Sequence, residues 1–350
     1  MSDLPRRGKA VFSLLLACLA GCSGSVAVDA GPGAGLDASV DASVDASFDA
    51  ATIDDAGAPP TCEVLAALAP ERLMAPAAGS DGYRVPSAQQ LQDLTSAVVL
   101  AQRRAPSALG AAELAGYRLC VGEGAEDGLS LLEPRALDAG HARVVLRTAG
   151  APLVFEAPHP GYDTRTLEES VALFTALEAS ALLVSGTHRC ASALPSGCDG
   201  TTGACGATAP YVVSDVAHAV DSFFHAAHVG LALAFEDAVF VSVHGFADDG
   251  ASVSDGTNDP IALDAPAARL ARAMSARFDG ITACSDGAGV PFEERLCGTT
   301  NVQGRQLAGV ANECDDAAPA ASGRFIHMEQ SRLVRDDAAT VVEAFREAFP

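Results

Sequence analysis

Segments with strand character alternate with segments of helical periodicity along most of this chain. Apolar residues recur at helical spacing over residues 88–104, 166–180, 214–235, 265–278 and 336–349. Short apolar runs lie between these segments at residues 143–147, 153–155, 181–185, 238–243 and 325–328. Strands that alternate with helices favour a sheet covered by helices on both faces. We therefore predict an α/β fold with a mixed, mostly parallel sheet.

The first 21 residues have the layout of a secretory signal peptide. Basic residues Arg6, Arg7 and Lys9 precede an apolar stretch over residues 10–20, which is too short to span a bilayer. The tetrapeptide over residues 19–22, Leu-Ala-Gly-Cys, resembles the lipobox of bacterial lipoproteins. That resemblance implies lipidation of Cys22 and anchoring in the cell envelope, in the outer membrane because serine follows the cysteine. The alternative is an ordinary signal peptide with a chance cysteine.

Residues 22–61 form the second segment, a tether rich in Asp, Ala and Ser. Three units of the form Asp-Ala-Ser-Val or Asp-Ala-Ser-Phe begin at Asp37, Asp41 and Asp45. An acidic residue in every unit leaves no apolar face to bury, so we expect this segment to be disordered. Residues 62–350 are then one α/β domain, in which residues 62–140 form a less regular N-terminal extension.

The charge balance excludes several functions. The formal net charge is −23, and the sole lysine, Lys9, lies in the predicted signal peptide. A phosphate-binding P-loop and Schiff-base chemistry both require a lysine, which the mature chain lacks, and a nucleic-acid surface requires a basic face, which the excess of acidic residues opposes. The motifs G-x-S-x-G, G-x-G-x-x-G and H-E-x-x-H are also absent from the sequence.

Eight cysteines follow the lipobox, and their even number in an exported protein predicts four disulfides. No two of them form a C-x-x-C pair, which argues against a zinc knuckle or a thioredoxin-like site. We expect the disulfides to crosslink two long loops, and the pairing stays open. The cysteines are Cys62, Cys120, Cys190, Cys198, Cys205, Cys284, Cys297 and Cys314.

Three strand-like segments end in side chains that bind metals or transfer protons. His159 follows the run at residues 153–155, His244 ends the run at 238–243, and Glu329 follows the run at 325–328. Ligands of open α/β sheets collect at the carboxyl ends of the strands, so these three residues can converge. We predict that His159 and His244 bind a metal ion. For Glu329, the alternative is an ion pair with Arg332 or Arg335.

The second acidic ligand is open among three residues. Asp163 lies four residues after His159, where it could bind the metal or cap the next helix. Glu168 and Glu169 are the other candidates, but residues 166–169 also match the capping box T-x-x-E.

Further histidines and arginines could serve the same site. His218, His225 and His228 lie on a predicted helix, as a second metal site or as supporting residues. Arginine binds carboxylates with two hydrogen bonds, which makes it suited to an anionic substrate. The candidates for substrate binding are His188, Arg189, Arg305 and Arg335.

The order of these parts resembles the zinc carboxypeptidase-like superfamily, in its N-formylglutamate amidohydrolase and poly-γ-glutamate hydrolase branch. The similarity covers roughly residues 153–347 and rests on the motif residues His159, Asp163, His244 and Glu329. It implies that His159, His244 and Asp163, or Glu168 in place of Asp163, bind Zn²⁺ and that Glu329 is the catalytic acid or base. Carboxypeptidases space the first pair as H-x-x-E, and this chain departs from that spacing.

The sequence thus predicts a zinc-dependent hydrolase of peptide, γ-glutamyl or N-acyl amino acid amides, with a carboxylate-bearing substrate and no nucleic-acid partner. The alternative is a non-catalytic surface lipoprotein that binds a ligand or an envelope polymer.

Overall fold

The computed structural model describes residues 57–73 and 76–350. The predicted signal peptide, Cys22 and most of the predicted tether lie outside the described residues. The last tether residues are described, and they run beside a strand: the backbone N–H of Val121 donates to the carbonyl of Pro60 at 2.9 Å. No helix of the described residues is long and apolar enough to cross a membrane.

Nine strands of the described chain form one mixed sheet, in the order β1-β2-β3-β5-β4-β8-β11-β9-β10. Its strands are β1 (Tyr117–Val121), β2 (Leu129–Pro134), β3 (Arg143–Arg147), β4 (Ala151–Ala157), β5 (Ala179–Val184), β8 (Val239–Gly245), β9 (Ala251–Ser254), β10 (Ile281–Ala283) and β11 (Phe325–Gln330). A separate two-stranded sheet pairs β6 (Thr201–Thr202) with β7 (Ala209–Pro210). The α/β class and the mixed sheet are as the sequence predicts.

Parallel pairing is concentrated at the centre of the sheet. Strands β5, β4, β8 and β11 pair in parallel, as do β9 and β10 near one edge. The strands β1, β2 and β3 add antiparallel pairs at the other edge, and β11 pairs antiparallel with β9. The carboxyl ends of these central strands therefore lie on the same side of the sheet. His159, His244 and Glu329 lie at or shortly after those ends.

Helices cover both faces of this sheet. The described helices are α1 (Pro70–Leu73), α2 (Ala88–Gln102), α3 (Ala108–Leu114), α4 (Thr166–Ala176), α5 (Phe223–Ala234), α6 (Pro266–Ser275), α7 (Val302–Leu307), α8 (Arg332–Asp336) and α9 (Ala338–Ala348). Alternation along β4 divides the core: Leu153 and Phe155 pack with residues of α4, α6 and α9, and Val154 packs with residues of α2 and α5.

Two sequence-based expectations differ from the fold. Helix α5 begins only at Phe223, because the Ser222 hydroxyl accepts the N–H of His225 at 3.1 Å and caps the helix there. Residues 216–218 before it form a short 3₁₀ turn. Residues 62–140 are also more regular than expected, since they supply β1, β2 and a layer of two helices.

Four disulfides are present among the described residues, as the cysteine count predicts. Their pairs are Cys62–Cys120, Cys190–Cys205, Cys198–Cys314 and Cys284–Cys297. The third pair joins the loop that follows β5 to the loop between α7 and β11, across 116 residues of sequence. Crosslinks of this kind hold loops that bury little apolar surface of their own.

Candidate metal centre

A tight turn after β4 brings Asp163 back to His159. The backbone N–H groups of Tyr162 and Asp163 both donate to the carbonyl of His159, at 2.9 and 2.8 Å. Helix α4 starts at Thr166, and no side chain caps it, so the Asp163 carboxylate is not a helix cap. It faces the His159 ring instead, and both side chains are almost fully buried.

Strand register places the other two residues beside this turn. Strand β8 lies between β4 and β11, and His244 is directly opposite Glu329 across the β8–β11 pair. The ring centroids of His159 and His244 are 5.0 Å apart. Four residues from three strand ends therefore form one buried cluster.

Three donor atoms of this cluster have the spacing of metal ligands. Asp163 Oδ2 lies 3.5 Å from Nδ1 of His159 and 3.5 Å from Nδ1 of His244. A tetrahedral zinc site with bonds of about 2.0–2.1 Å puts neighbouring ligand atoms about 3.4 Å apart. His159 Nδ1 is buried and has no hydrogen-bond partner. His159, Asp163 and His244 can thus hold a metal ion, and this donor set suits zinc.

In both His159 and His244, the ring nitrogen that faces away from Asp163, Nε2, contacts a second residue. His159 Nε2–H donates to Asp215 Oδ1 at 2.7 Å, and an ionised carboxylate can only accept. His244 Nε2 lies 2.9 Å from the Ser242 hydroxyl on the same strand. With the proton of His159 on Nε2, its Nδ1 lone pair points toward Asp163, where a metal would need it.

Asp215 is a site residue that sequence reasoning missed. It is fully buried and accepts hydrogen bonds from Arg189 Nε and Nη2 at 3.2 and 2.6 Å, as well as from His159. Burial alone would raise the pKa of Asp215, but its neighbours His159 and Arg189 hold that pKa well below its usual range. The helical periodicity over residues 214–235 hid this residue inside a predicted helix.

Comparison with known proteins finds a distant structural match for this chain. No protein-family model matches the chain, and no curated protein matches it. A solved structure from Shewanella amazonensis SB2B, described as a "putative metallopeptidase", is 14% identical with a TM-score of 0.29. The match covers 73% of this chain and 90% of that chain. We draw no conclusion from a likeness this distant.

Glu329 lies opposite His244 across the β8–β11 pair, and no arginine of the described residues forms an ion pair with it. Its Oε1 is 3.9 Å from His327 Nε2, and its Oε2 is buried without a hydrogen bond. Burial, and then the negative charge of Asp163, raises the pKa of Glu329 to about 8. The alternative ion pairs do not form: Arg332 binds Asp336 at 2.9 Å, and Arg335 donates to the Gln330 carbonyl at 2.5 Å.

A second group of donors overlaps the first. His244, His327 and Glu329 also bring one ligand atom each within 4.8 Å of one another. The rings of His244 and His327 have centroids 4.5 Å apart. Both His327 and Glu329 lie on one face of β11, as the period of two in a strand requires.

Glu168 and Glu169, the rival second ligands, point elsewhere. Glu168 is exposed and pairs with Arg165 at 3.0 Å. Glu169 is fully buried and accepts a hydrogen bond from Gln330 Nε2 at 2.9 Å. The capping box over residues 166–169 is not formed, because the Thr166 hydroxyl donates to the Asp163 carbonyl.

Of the four expected substrate-binding residues, two are engaged by the protein itself. The Arg189 guanidinium is held by Asp215. The Arg305 guanidinium donates to Asp199 at 2.7 Å and to the carbonyls of Thr299 and Cys314. The Arg305 guanidinium therefore holds the crosslinked loops together, and its contact with a substrate stays a prediction.

His188 and Arg335 keep free donors near the centre. His188 Nδ1 accepts the backbone N–H of Cys190 at 3.0 Å, so its proton lies on Nε2. Arg335 lies against the glycine that follows His244: a Cβ at Gly245 would be 1.5 Å from Arg335 Nη1. Arg335 Nε is buried and has no partner.

The three helix-associated histidines form no second metal site with each other in the described chain. His218 Nδ1 bonds to the Thr300 carbonyl at 2.9 Å, and its ring stacks on Tyr211. His228 Nδ1 lies 2.7 Å from the buried Glu156 carboxylate. His225 is buried in α5, beside His228.

Proposed function

We propose that this protein is a zinc-dependent amide hydrolase with His159, Asp163 and His244 as metal ligands and Glu329 as the general base. The observation that carries the proposal is the pair of 3.5 Å distances from Asp163 Oδ2 to the two Nδ1 atoms. These distances exceed a good hydrogen bond and match the edge of a tetrahedral zinc site.

Three protein ligands leave one coordination position for water or substrate. A zinc ion held by His159, Asp163 and His244 would lower the pKa of a bound water molecule to about 7 and polarise the substrate carbonyl. Glu329 takes the proton of the attacking water and returns it to the leaving nitrogen, a role worth about 10²- to 10⁴-fold in rate.

The ionised form of Glu329 is the one that a base needs. Asp163 is one of the two causes of its raised pKa. A cation on Asp163 would offset that negative charge and favour the ionised carboxylate of Glu329. Arg189 and Arg335 act in the same direction, since both lower the pKa of Glu329.

The substrate that we propose is an amide with a carboxylate close to the scissile bond, such as a γ-glutamyl peptide or an N-acyl amino acid. Arg335 supports this proposal, because its guanidinium lies beside Gly245 with Nε unpaired. Arginine pairs with carboxylates through two parallel hydrogen bonds. His188 adds an Nε2–H donor for the same substrate.

We further propose that Cys22 carries a lipid that anchors the enzyme to the cell envelope, on the outer membrane. The support is the signal-like start of the chain and the Leu-Ala-Gly-Cys motif. Replacing Cys22 with serine should release the protein from the membrane fraction and abolish labelling with a palmitate analogue. Retention of both in Cys22→Ser would refute the anchor without bearing on the enzyme.

The test of the enzyme compares wild type with Glu329→Gln, with Glu168→Gln as the matched control. Zinc content by mass spectrometry and hydrolysis of γ-glutamyl and N-acyl glutamate amides are measured on each protein. The expected result is one zinc ion per chain in all three and a loss of at least about 10²-fold in kcat for Glu329→Gln alone. Folded wild type that binds no zinc would contradict the proposal, and equal kcat in all three would remove Glu329 as the base.

A further inference from the structure

The Tyr162 ring is exposed at the border of the candidate metal centre. Tyr162 lies between His159 and Asp163 in the turn after β4, and its backbone N–H bonds to the His159 carbonyl. Tyr162 is 39% exposed, whereas His159 and Asp163 are 1% and 3% exposed. A large aromatic surface thus reaches solvent from the same turn that supplies two of the donor atoms.

Three contacts hold this ring in place. The His188 ring meets it nearly at right angles, with centroids 5.6 Å apart. The Arg189 guanidinium lies over it, 5.3 Å from its centroid. The Tyr162 hydroxyl donates to the Ala204 carbonyl at 2.9 Å. Because these contacts already restrict the ring, it loses little conformational entropy when a ligand binds against it.

The partners of the ring are themselves fixed. Arg189 is bound by the buried Asp215, which also holds His159. Ala204 precedes Cys205, and the Cys190–Cys205 disulfide closes the loop directly after His188 and Arg189. The crosslinked loop therefore connects the ring to the segment that supports the metal centre.

We propose that Tyr162 is a specificity-determining residue that packs against a flat, apolar group of the substrate next to the scissile amide. A rigid ring that stays partly exposed offers contact area at low cost in conformational entropy, and a pair of aromatic groups gains affinity beyond the burial of its apolar surface. The chemical class is an aryl or similarly flat group beside the amide bond. This inference rests on the proposed hydrolase function. To the substrate carboxylate proposed there, it adds a flat, apolar group.

The ring hydroxyl and the ring face have separable roles. The hydroxyl bonds to Ala204, so Tyr162→Phe removes only that bond and keeps the aromatic face. Tyr162→Ala removes both. Removing the disulfide in Cys190→Ser/Cys205→Ser loosens the loop that carries Ala204 and leaves the ring itself unchanged.

The experiment measures kcat and KM of the zinc-loaded full chain with matched substrate pairs. One pair is N-benzoyl and N-acetyl glutamate, which differ on the acyl side. The other pair carries an anilide or a methylamide on the leaving side of N-acetyl glutamate. The proteins are wild type, the variants above and Phe292→Ala, an exposed aromatic that bridges to Ala283 of the edge strand β10.

We expect wild type to favour the aryl member of at least one pair through KM, by about two- to tenfold. Tyr162→Ala should lose that preference with unchanged zinc content, Tyr162→Phe should retain most of it, and Phe292→Ala should match wild type. Loss of the disulfide should lower the preference less than Tyr162→Ala does. An equal preference in wild type and Tyr162→Ala, or none in wild type, would overturn the role of Tyr162 alone. Zinc-loaded wild type that hydrolyses no amide would overturn the proposed function and this inference with it.

Discussion

His159 Nε2 and Asp215 Oδ1 are joined by a hydrogen bond of 2.7 Å between two buried side chains. The bond fixes the proton of His159 on the nitrogen that faces away from Asp163. The bond also fixes the orientation of the His159 ring relative to the neighbouring His244 ring. In the proposed metal site, Asp215 would therefore act on the metal through His159, without contacting it.

Asp215→Asn should weaken zinc binding about 10- to 100-fold, because the neutral amide orients His159 less firmly and lowers its basicity as a ligand. The measurement is a competition titration with a zinc chelator. Asp199→Asn is the matched control, since Asp199 also forms an ion pair with an arginine, Arg305, but lies in the crosslinked loops. Equal zinc affinity in Asp215→Asn and wild type would contradict the orienting role.

Removing the Arg335 guanidinium should raise KM for carboxylate-bearing amides. Arg335→Met should raise KM for these amides about 10- to 100-fold, the value of one charge-assisted contact, and leave the KM of amides without a carboxylate unchanged. Because Arg335 also lowers the pKa of Glu329, kcat should fall for both kinds of amide. Gly245→Ala should act in the same direction, because its Cβ would overlap Arg335 Nη1 and displace the guanidinium.

Gly57→Ala is the control for the glycine substitution, since a Cβ at Gly57 meets no atom within 4 Å. Steady-state kinetics with paired substrates checks these outcomes. If Arg335→Met raises KM equally for both kinds of amide, the guanidinium does not recognise the carboxylate.

The buried carboxyl of Glu169 should make the fold less stable as the pH rises. Burial raises the pKa of Glu169 to about 8, although Gln330 and Arg335 both lower it. The unfolded chain loses this proton near pH 4.5, whereas the folded chain keeps it to about pH 8. Between these values the unfolded state binds fewer protons, so the stability contribution falls with rising pH and is constant above about pH 8.

Glu169→Gln keeps the shape of the neutral carboxyl and should remove this dependence. We expect the variant to match wild type at pH 4.5 and to exceed its free energy of unfolding by about 1 kcal/mol or more at pH 8. Denaturant unfolding at both pH values checks the difference, with the exposed Glu168→Gln as control. A wild type and Glu169→Gln with the same pH profile would show that the Glu169 carboxyl does not titrate differently on folding.

Much of the fold and of the cluster could be predicted because both depend on local pattern. The runs that became β4, β8 and β11 are continuous and apolar, and a polar residue at the end of such a run marks the sheet edge. The ends of those runs predict His159, His244 and Glu329 as site residues. The spacing of four residues did not decide between Asp163 as ligand and as cap, and the tight turn after β4 resolves its position.

The contacts that could not be predicted join distant parts of the chain. Asp215 meets His159 across 56 residues, and Arg305 meets Asp199 across 106. No periodicity records such pairs, and a buried aspartate looks the same in sequence as one that caps a helix. The same limit applies to the disulfide pairing, which depends on loop packing.

The most direct test of the proposed metal centre is a crystal structure of the zinc-loaded protein with anomalous data at the zinc edge. We predict one strong peak about 2.0–2.2 Å from His159 Nδ1, His244 Nδ1 and an oxygen of Asp163, with the Glu329 carboxylate unbound beside it. A peak bound by His327 and Glu329 in place of His159 and Asp163, or a folded protein with no peak in this cluster, would contradict it.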